Sequence, residues 1–262
     1  MKNISVLLAD DDHRIRNAIH TILVQNFISI QIVAKTDSLE NTIEALNTYK
    51  PDIAILDMHL INGTAIEVLK KTTHLSYKVI FMSAYQEYAL DDIRFASIDF
   101  IYKPLDISDL LITVDNVITE LVEEGYKKKM QTFFINTNYE NEDKQIIFKT
   151  KSQILSVPIS AIIYGESHYS LSYFALETGK QIEIKEPLRR YESMLQSYNF
   201  FRCHPLFIVN INHILAVDYS TKLLTLTNHL TIPFEKKRLG ILTQNWHKNT
   251  KSEVRIKSYK SV

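Results

Sequence analysis

The feature that most constrains this chain is an alternation, through its first 120 or so residues, of short apolar runs with longer stretches of helical spacing. Ile4-Ser5-Val6-Leu7-Leu8-Ala9 is followed by Ile15, Ala18, Ile19, Ile22 and Leu23, which share one helix face. Further runs at Ile30 to Ala34, Asp52 to Leu56, Lys78 to Met82 and Ile98 to Tyr102 suit strands buried on both faces. Between them, helical stretches fall near 38–48, 63–73, 86–94 and 106–124. The last is the clearest, with Ile107, Leu110, Leu111, Val114, Val117, Ile118, Leu121 and Val122 in one stripe. Five βα units predict an α/β fold, a doubly wound five-stranded parallel sheet whose ligand site lies outside the carboxyl ends of the strands.

After Gly125 the pattern changes. Lys127-Lys128-Lys129 and the polar stretch Asn136 to Lys144 read as a linker over 126–144. Beyond it the period is mostly two: Tyr169, Leu171 and Tyr173 alternate with Ser170 and Ser172, and Leu224 and Leu226 with Thr225 and Thr227. Leu176-Glu177-Thr178-Gly179-Lys180 and Asn228-His229 carry turn chemistry. Two helices are expected here, one opening at Pro187 and one from about Glu235 to Trp246. The expected organisation is therefore a first domain over 1–125, a mostly β domain over 145–250 and a frayed polar tail over 251–262.

The formal net charge of zero conceals two opposed halves. Residues 1–125 hold 10 Lys and Arg against 19 Asp and Glu, leaving 20 against 11 for the remainder. Such a split points to an acidic regulatory module joined to one that meets a polyanion, or to two solvated surfaces of unequal charge. No apolar run approaches the roughly 18 residues of a membrane span, and the amino terminus does not read as a signal peptide, so a cytoplasmic protein is expected. The one cysteine, Cys203, excludes an internal disulfide and reads as a packing residue.

Asp10 and Asp11 follow the first expected strand, Asp57 the third, Ser83 the fourth and Lys103 the fifth, so the fold brings them together. Clustered carboxylates repel unless a cation neutralises them, and two or three of them suit Mg²⁺. Asp57 could then attack phosphorus in line, with Lys103 and Ser83 at the transferring oxygens.

The stretches Val6-Leu7-Leu8-Ala9-Asp10-Asp11-Asp12, Asp52-Ile53-Ala54-Ile55-Leu56-Asp57-Met58, Phe81-Met82-Ser83-Ala84 and Tyr102-Lys103-Pro104 resemble the flavodoxin-like receiver domains of two-component response regulators over nearly all of residues 1–125. The resemblance implies that Asp57 is the phosphoacceptor, phosphorylated by a sensor histidine kinase. Asp10, Asp11, Asp57 and the main-chain carbonyl of His59 would hold Mg²⁺. Ser83 and Lys103 would contact the phosphoryl group, the Lys103-Pro104 bond would be cis, and phosphorylation would favour a homodimer. Phe100 matches the aromatic switch position, or is simply a strand residue facing the core. Asn62-Gly63 departs from the family's usual pair, and Asp12 makes the acidic cluster denser than usual.

In the second half, Phe200-Phe201-Arg202-Cys203-His204-Pro205-Leu206-Phe207-Ile208-Val209-Asn210 resembles the LytTR (LytR/AlgR) DNA-binding domain. So does its setting: an opening hairpin at 146–157, then Ala161-Ile162-Ile163-Tyr164-Gly165-Glu166-Ser167-His168, and Leu230-Thr231-Ile232-Pro233-Phe234 before a basic helix. The resemblance, over about 133–247, implies a double-stranded DNA partner. His168 and Asn210 would approach bases, and Lys236, Lys237 and Arg238 would hold phosphates. Each has a plainer alternative as turn residue, loop former or solvated helix face. Arg202 and His204 match the signature too, as DNA contacts or as residues orienting the loop. Glu235 stands where the family often has Ser. Two other functions compete with a phosphorylation-gated transcription factor. An aspartyl-phosphate phosphatase would need a second acid at position 59, which is His. A signalling adaptor would bind protein through the β domain.

Overall fold

A computed structural model describes residues 3–74, 76–84, 96, 98–121, 125–138, 143–238 and 255–257. They divide into two units, Met1–Phe133 and Phe134–Val262.

In the first unit the apolar runs become β1 (Ile4–Ala9), β2 (Ile30–Thr36), β3 (Ile53–Asp57), β4 (Lys78–Ala84) and β5 (Asp99–Lys103). They form one parallel sheet in the order β2-β1-β3-β4-β5, as the βα alternation predicts. Helices α1 (His13–Asn26), α2 (Leu39–Tyr49), α3 (Ala65–Lys71) and α4 (Ile107–Glu120) connect or follow the strands. Their amino termini are fixed by side-chain caps on Asp12, Ser38, Thr64 and Asp106, of which Thr64 and Glu67 form a reciprocal capping box. Ile19 and Leu23 of α1 and Leu110, Val114 and Val117 of α4 close over Ile4, Val6, Leu8, Ile55, Ile80 and Met82 on one face of the sheet. Strand alternation turns Leu7, Leu56 and Phe81, all fully buried, to the other face. The helix expected at 86–94 lies outside the described residues.

Where the sequence suggests a linker, the structure has α5 (Tyr126–Asn136). The lysine run hid an apolar face: Tyr126, Met130 and Phe133 recur at helical spacing. Phe133 is fully buried against Phe81 at 5.5 Å, and the Tyr126 hydroxyl accepts the Val79 N–H at 2.7 Å. Lys129 is itself buried, paired with Glu120 at 3.0 Å.

The second unit is mostly strands. β6 (Gln145–Lys149) and β7 (Ile154–Pro158) make the opening hairpin. β8 (Ile162–His168), β9 (Leu171–Leu176), β10 (Gln181–Ile184), β11 (Phe200–His204) and β12 (Phe207–Asn210) form a five-stranded antiparallel sheet in the order β10-β9-β8-β12-β11. β13 (Ile214–Asp218), β14 (Leu223–Leu226) and β15 (Thr231–Pro233) follow as an antiparallel meander. A short strand, β16 (Arg255–Lys257), pairs in parallel with β13. The tail was expected to fray throughout, yet Val254-Arg255-Ile256-Lys257 has the alternation of a strand. Helix α6 (Leu188–Leu195) begins directly after Pro187. It packs so closely on the sheet that a Cβ at Gly165 would lie 2.8 Å from its Leu188 Cδ1, and 2.9 Å from Phe174 Cε1 of the neighbouring β9. Ile163, Cys203, Val209, Val217, Leu224, Ile232 and Phe234 share a core, and burial pushes the Cys203 thiol up to about 12, as suits a packing residue.

Candidate functional site

The carboxyl edge of the parallel sheet gathers Asp10, Asp11, Asp57 and Lys103. β1 ends at Ala9, so Asp10 falls at the sheet edge, where it is completely buried while Asp11 is exposed. Asp57 ends β3 in register with Met82 of β4. One carboxylate oxygen from each of Asp10, Asp11 and Asp57 lies within 4.8 Å of the others. Asp12 turns away from this group: it caps α1 and pairs with Arg14 at 2.7 Å, which holds its carboxyl well below the usual range.

Lys103, the last residue of β5, reaches back across the edge. Its Nζ lies 2.6 Å from Asp57 Oδ2 and 2.8 Å from Asp10 Oδ2. The Lys103-Pro104 peptide is cis. Burial pushes the Asp57 carboxyl above the ordinary range, opposed by Lys103 and reinforced by Asp10; the His59 N–H also opposes it. Burial alone would lower the Lys103 ammonium, but the two carboxylates outweigh it and hold it above an ordinary lysine. Three carboxylates against one ammonium leave the cluster negative. Asp10 Oδ2 is buried and takes no hydrogen bond from a described residue, its Lys103 contact being an ion pair by distance. An all-oxygen set short of positive charge fits a hard divalent cation.

Ser83 is buried near the end of β4, in register with Tyr102, one residue before the Ala84–Lys103 pair. Phe100 is half-buried, edge-on to Tyr102 at 4.5 Å. Arg16 was not singled out in the sequence; its guanidinium donates to the main-chain carbonyl of Asp10. Its signal was a cation one helical turn after an N-cap acid.

The expected DNA-contacting residues separate into two groups. His168 is exposed at the end of β8, with Tyr169 edge-on to its ring at 4.9 Å. Lys236 and Lys237 are exposed where the chain turns helical after β15. Arg238 is half-buried and bonds Glu235 at 2.9 Å, with Lys237 3.5 Å from the same carboxylate. Glu235 thus offsets part of the basic trio. The rest of the expected helix to Trp246 lies outside the described residues. Asn210, by contrast, is interior. It is 1% exposed, its amide donates to the Ile162 carbonyl at 3.2 Å, and its side-chain oxygen accepts the Asn212 N–H at 3.1 Å. The oxygen caps a 3₁₀ turn and the amide ties that turn to β8, so both functional atoms are engaged within the unit. Arg202 bonds Glu192 and the Pro205 carbonyl, and His204 Nδ1 accepts the Leu206 N–H. These two orient the turn between β11 and β12.

A family model described as the response regulator receiver domain matches residues 6–115, and one described as the LytTr DNA-binding domain matches residues 152–247. The chain belongs to the LytTR-family response regulators. Sensory transduction protein LytT of Bacillus cereus is 27% identical over 227 residues, covering 82% of this chain and 86% of its own. Sensory transduction protein LytR of Staphylococcus saprophyticus is 25% identical over 254 residues, covering 91% and 97%. A solved LytTr DNA-binding domain from Bacillus cereus is 28% identical and covers 38% of this chain and 94% of its own, with a TM-score of 0.34. A LytTR response regulator couples a receiver to a DNA-binding domain, the arrangement of two-component transcription regulation. The acidic edge accordingly lies in the receiver, and the β-rich unit is the DNA-binding part. Among the described residues no helix is long and apolar enough to cross a membrane.

Proposed function

We propose that this LytTR response regulator is a cytoplasmic, phosphorylation-gated transcription factor whose phosphoacceptor is Asp57 and whose donor is a sensor histidine kinase. The observation that carries the reading is the convergence of Asp57, Asp10 and Lys103, with Lys103 Nζ 2.6 Å from Asp57 Oδ2 at the carboxyl edge of the sheet. An Asp57 oxygen forms the new P–O bond while the P–N bond of a phosphohistidine breaks and the imidazole leaves. Lys103 and Ser83 hold phosphoryl oxygens. Asp10, Asp11, Asp57 and the His59 main-chain carbonyl would hold Mg²⁺, which when bound supplies the positive charge that three carboxylates and an incoming phosphoryl group require.

Phosphorylation shifts Ser83, Phe100 follows, and the receiver pairs with a second copy. The dimer sets two DNA-binding units on half-sites one helical turn apart, about 34 Å. His168 faces bases, and Lys236, Lys237 and Arg238 face phosphates. The receiver supports its own phosphoryl transfer and dephosphorylation and acts on no other substrate. Treatment with a small phosphodonor and Mg²⁺ adds one phosphate to the intact protein by mass spectrometry, and Asp57→Asn abolishes it. Equal labelling of the Asn variant would refute the assignment.

A further inference from the structure

We propose that Tyr169 and Leu206 form a rigid apolar tip with which the DNA-binding unit reads thymine methyl groups in the major groove; this rests on the reading of that unit as DNA-binding. Two turns lie at the same end of the five-stranded sheet. One joins β8 to β9 at Tyr169-Ser170, the other joins β11 to β12 at Pro205-Leu206, and Ser167 N–H donates to the Leu206 carbonyl at 2.7 Å.

Each turn presents an apolar side chain to water at some cost. Tyr169 sits at φ +56°, a left-handed conformation that aromatic residues rarely adopt. Its side chain is nonetheless 93% exposed, so burial does not offset that strain. Leu206 is 47% exposed, yet its turn is held from three sides. Arg202 bonds the Pro205 carbonyl at 3.0 Å, His204 Nδ1 accepts the Leu206 N–H at 3.2 Å, and Ser167 holds the Leu206 carbonyl. Arg202 is steadied in turn by Glu192 at 2.9 Å. These contacts, two from side chains and one from the Ser167 main-chain N–H, immobilise the backbone that carries Leu206, which is how a contact is pre-organised at low ordering cost.

The occupant follows from chemistry and position. Both turns fall within residues 152–247, matched as a DNA-binding domain, and His168 adjoins Tyr169. Two side chains on narrow hairpin turns suit a groove better than a protein surface of about 800 Å² per partner. The apolar feature of the major groove is the thymine C5 methyl, which only A·T pairs display.

The test removes methyl groups alone. Duplexes are selected from a random pool by the full-length protein, then remade with deoxyuridine at each thymine in turn, which preserves every hydrogen-bonding group. The wild-type protein loses roughly fourfold affinity at each contacted methyl. Leu206→Ala and Tyr169→Ala bind the thymine duplex more weakly and become indifferent to uridine at the position each reads, whereas Tyr169→Phe behaves as wild type. Both side chains are exposed, so unfolding midpoints should not move. Failure to select any duplex would overturn the DNA-binding reading itself. Selection with no uridine penalty, or an undiminished penalty in both Ala variants, would overturn the apolar tip while leaving DNA binding intact.

Discussion

Replacing Phe133 by Ala tests whether the helix after the receiver belongs to its core. Phe133 is fully buried, and its ring meets the equally buried Phe81 of β4, two residues before Ser83. Truncating a buried Phe costs about 3 to 5 kcal/mol through lost burial and the cavity left behind. For a unit of this size each kcal/mol moves the midpoint by roughly 3 to 4 °C, so the receiver should melt about 9 to 20 °C lower. Calorimetry on the full chain reads that shift. The second unit should show an unchanged transition of its own in the same scan. Tyr126→Phe strips the partner from the buried Val79 N–H and should cost a further, smaller amount of about 1 to 3 kcal/mol. A solvated linker makes a different prediction: a shift of less than about 2 °C in Phe133→Ala would refute the packing argument.

Burial pushes the Asp99 carboxyl up from 3.8 to about 6, with Lys129 and Lys78 opposing and Glu120 adding to it. A carboxyl raised on folding contributes stability that is complete below its unfolded value and lost as pH climbs through its folded one. The receiver should therefore lose at most about 3 kcal/mol between pH 4 and 7 from this group, and urea midpoints for Asp99→Asn should lack that decline. Because Glu235 offsets Lys237 and Arg238, Glu235→Gln should tighten binding to specific and scrambled duplexes alike and steepen the dependence of log affinity on log salt by about one unit. Asn210→Ala should cost about 1 to 3 kcal/mol of stability in the second unit, with no loss of sequence preference once folded protein is compared by titration on specific and scrambled DNA.

The parallel sheet was legible because strands buried on both faces read as apolar runs. Their ends were less so. Asp57, Ser83 and Lys103 are polar, so the pattern stops before them, yet all three remain in strands. Those same residues form or flank the acidic site, which could be assembled from the sequence because the fold dictates where strand ends meet. Helix α5 escaped notice because three consecutive lysines masked Tyr126, Met130 and Phe133, and because a lysine, Lys129, is on the buried face. The burial of Asn210 escaped notice for a related reason. A polar residue after Phe207-Ile208-Val209 looks like an exposed loop, but its side-chain oxygen, two residues before the Asn212 N–H that it accepts, is placed as a turn cap. Arg202 and His204 illustrate the general difficulty: residue type says what a side chain can bond, and the fold decides whether it bonds DNA or its own turn.

The central claim is that phosphate on Asp57 controls DNA binding. Affinity for one selected duplex should be measured with and without a small phosphodonor in Mg²⁺, for the wild-type protein and for Asp57→Asn. The account predicts a gain of at least about tenfold, or 1.4 kcal/mol, in the wild-type protein and none in the Asn variant. Equal affinity in every condition, or the same gain in both proteins, would contradict it.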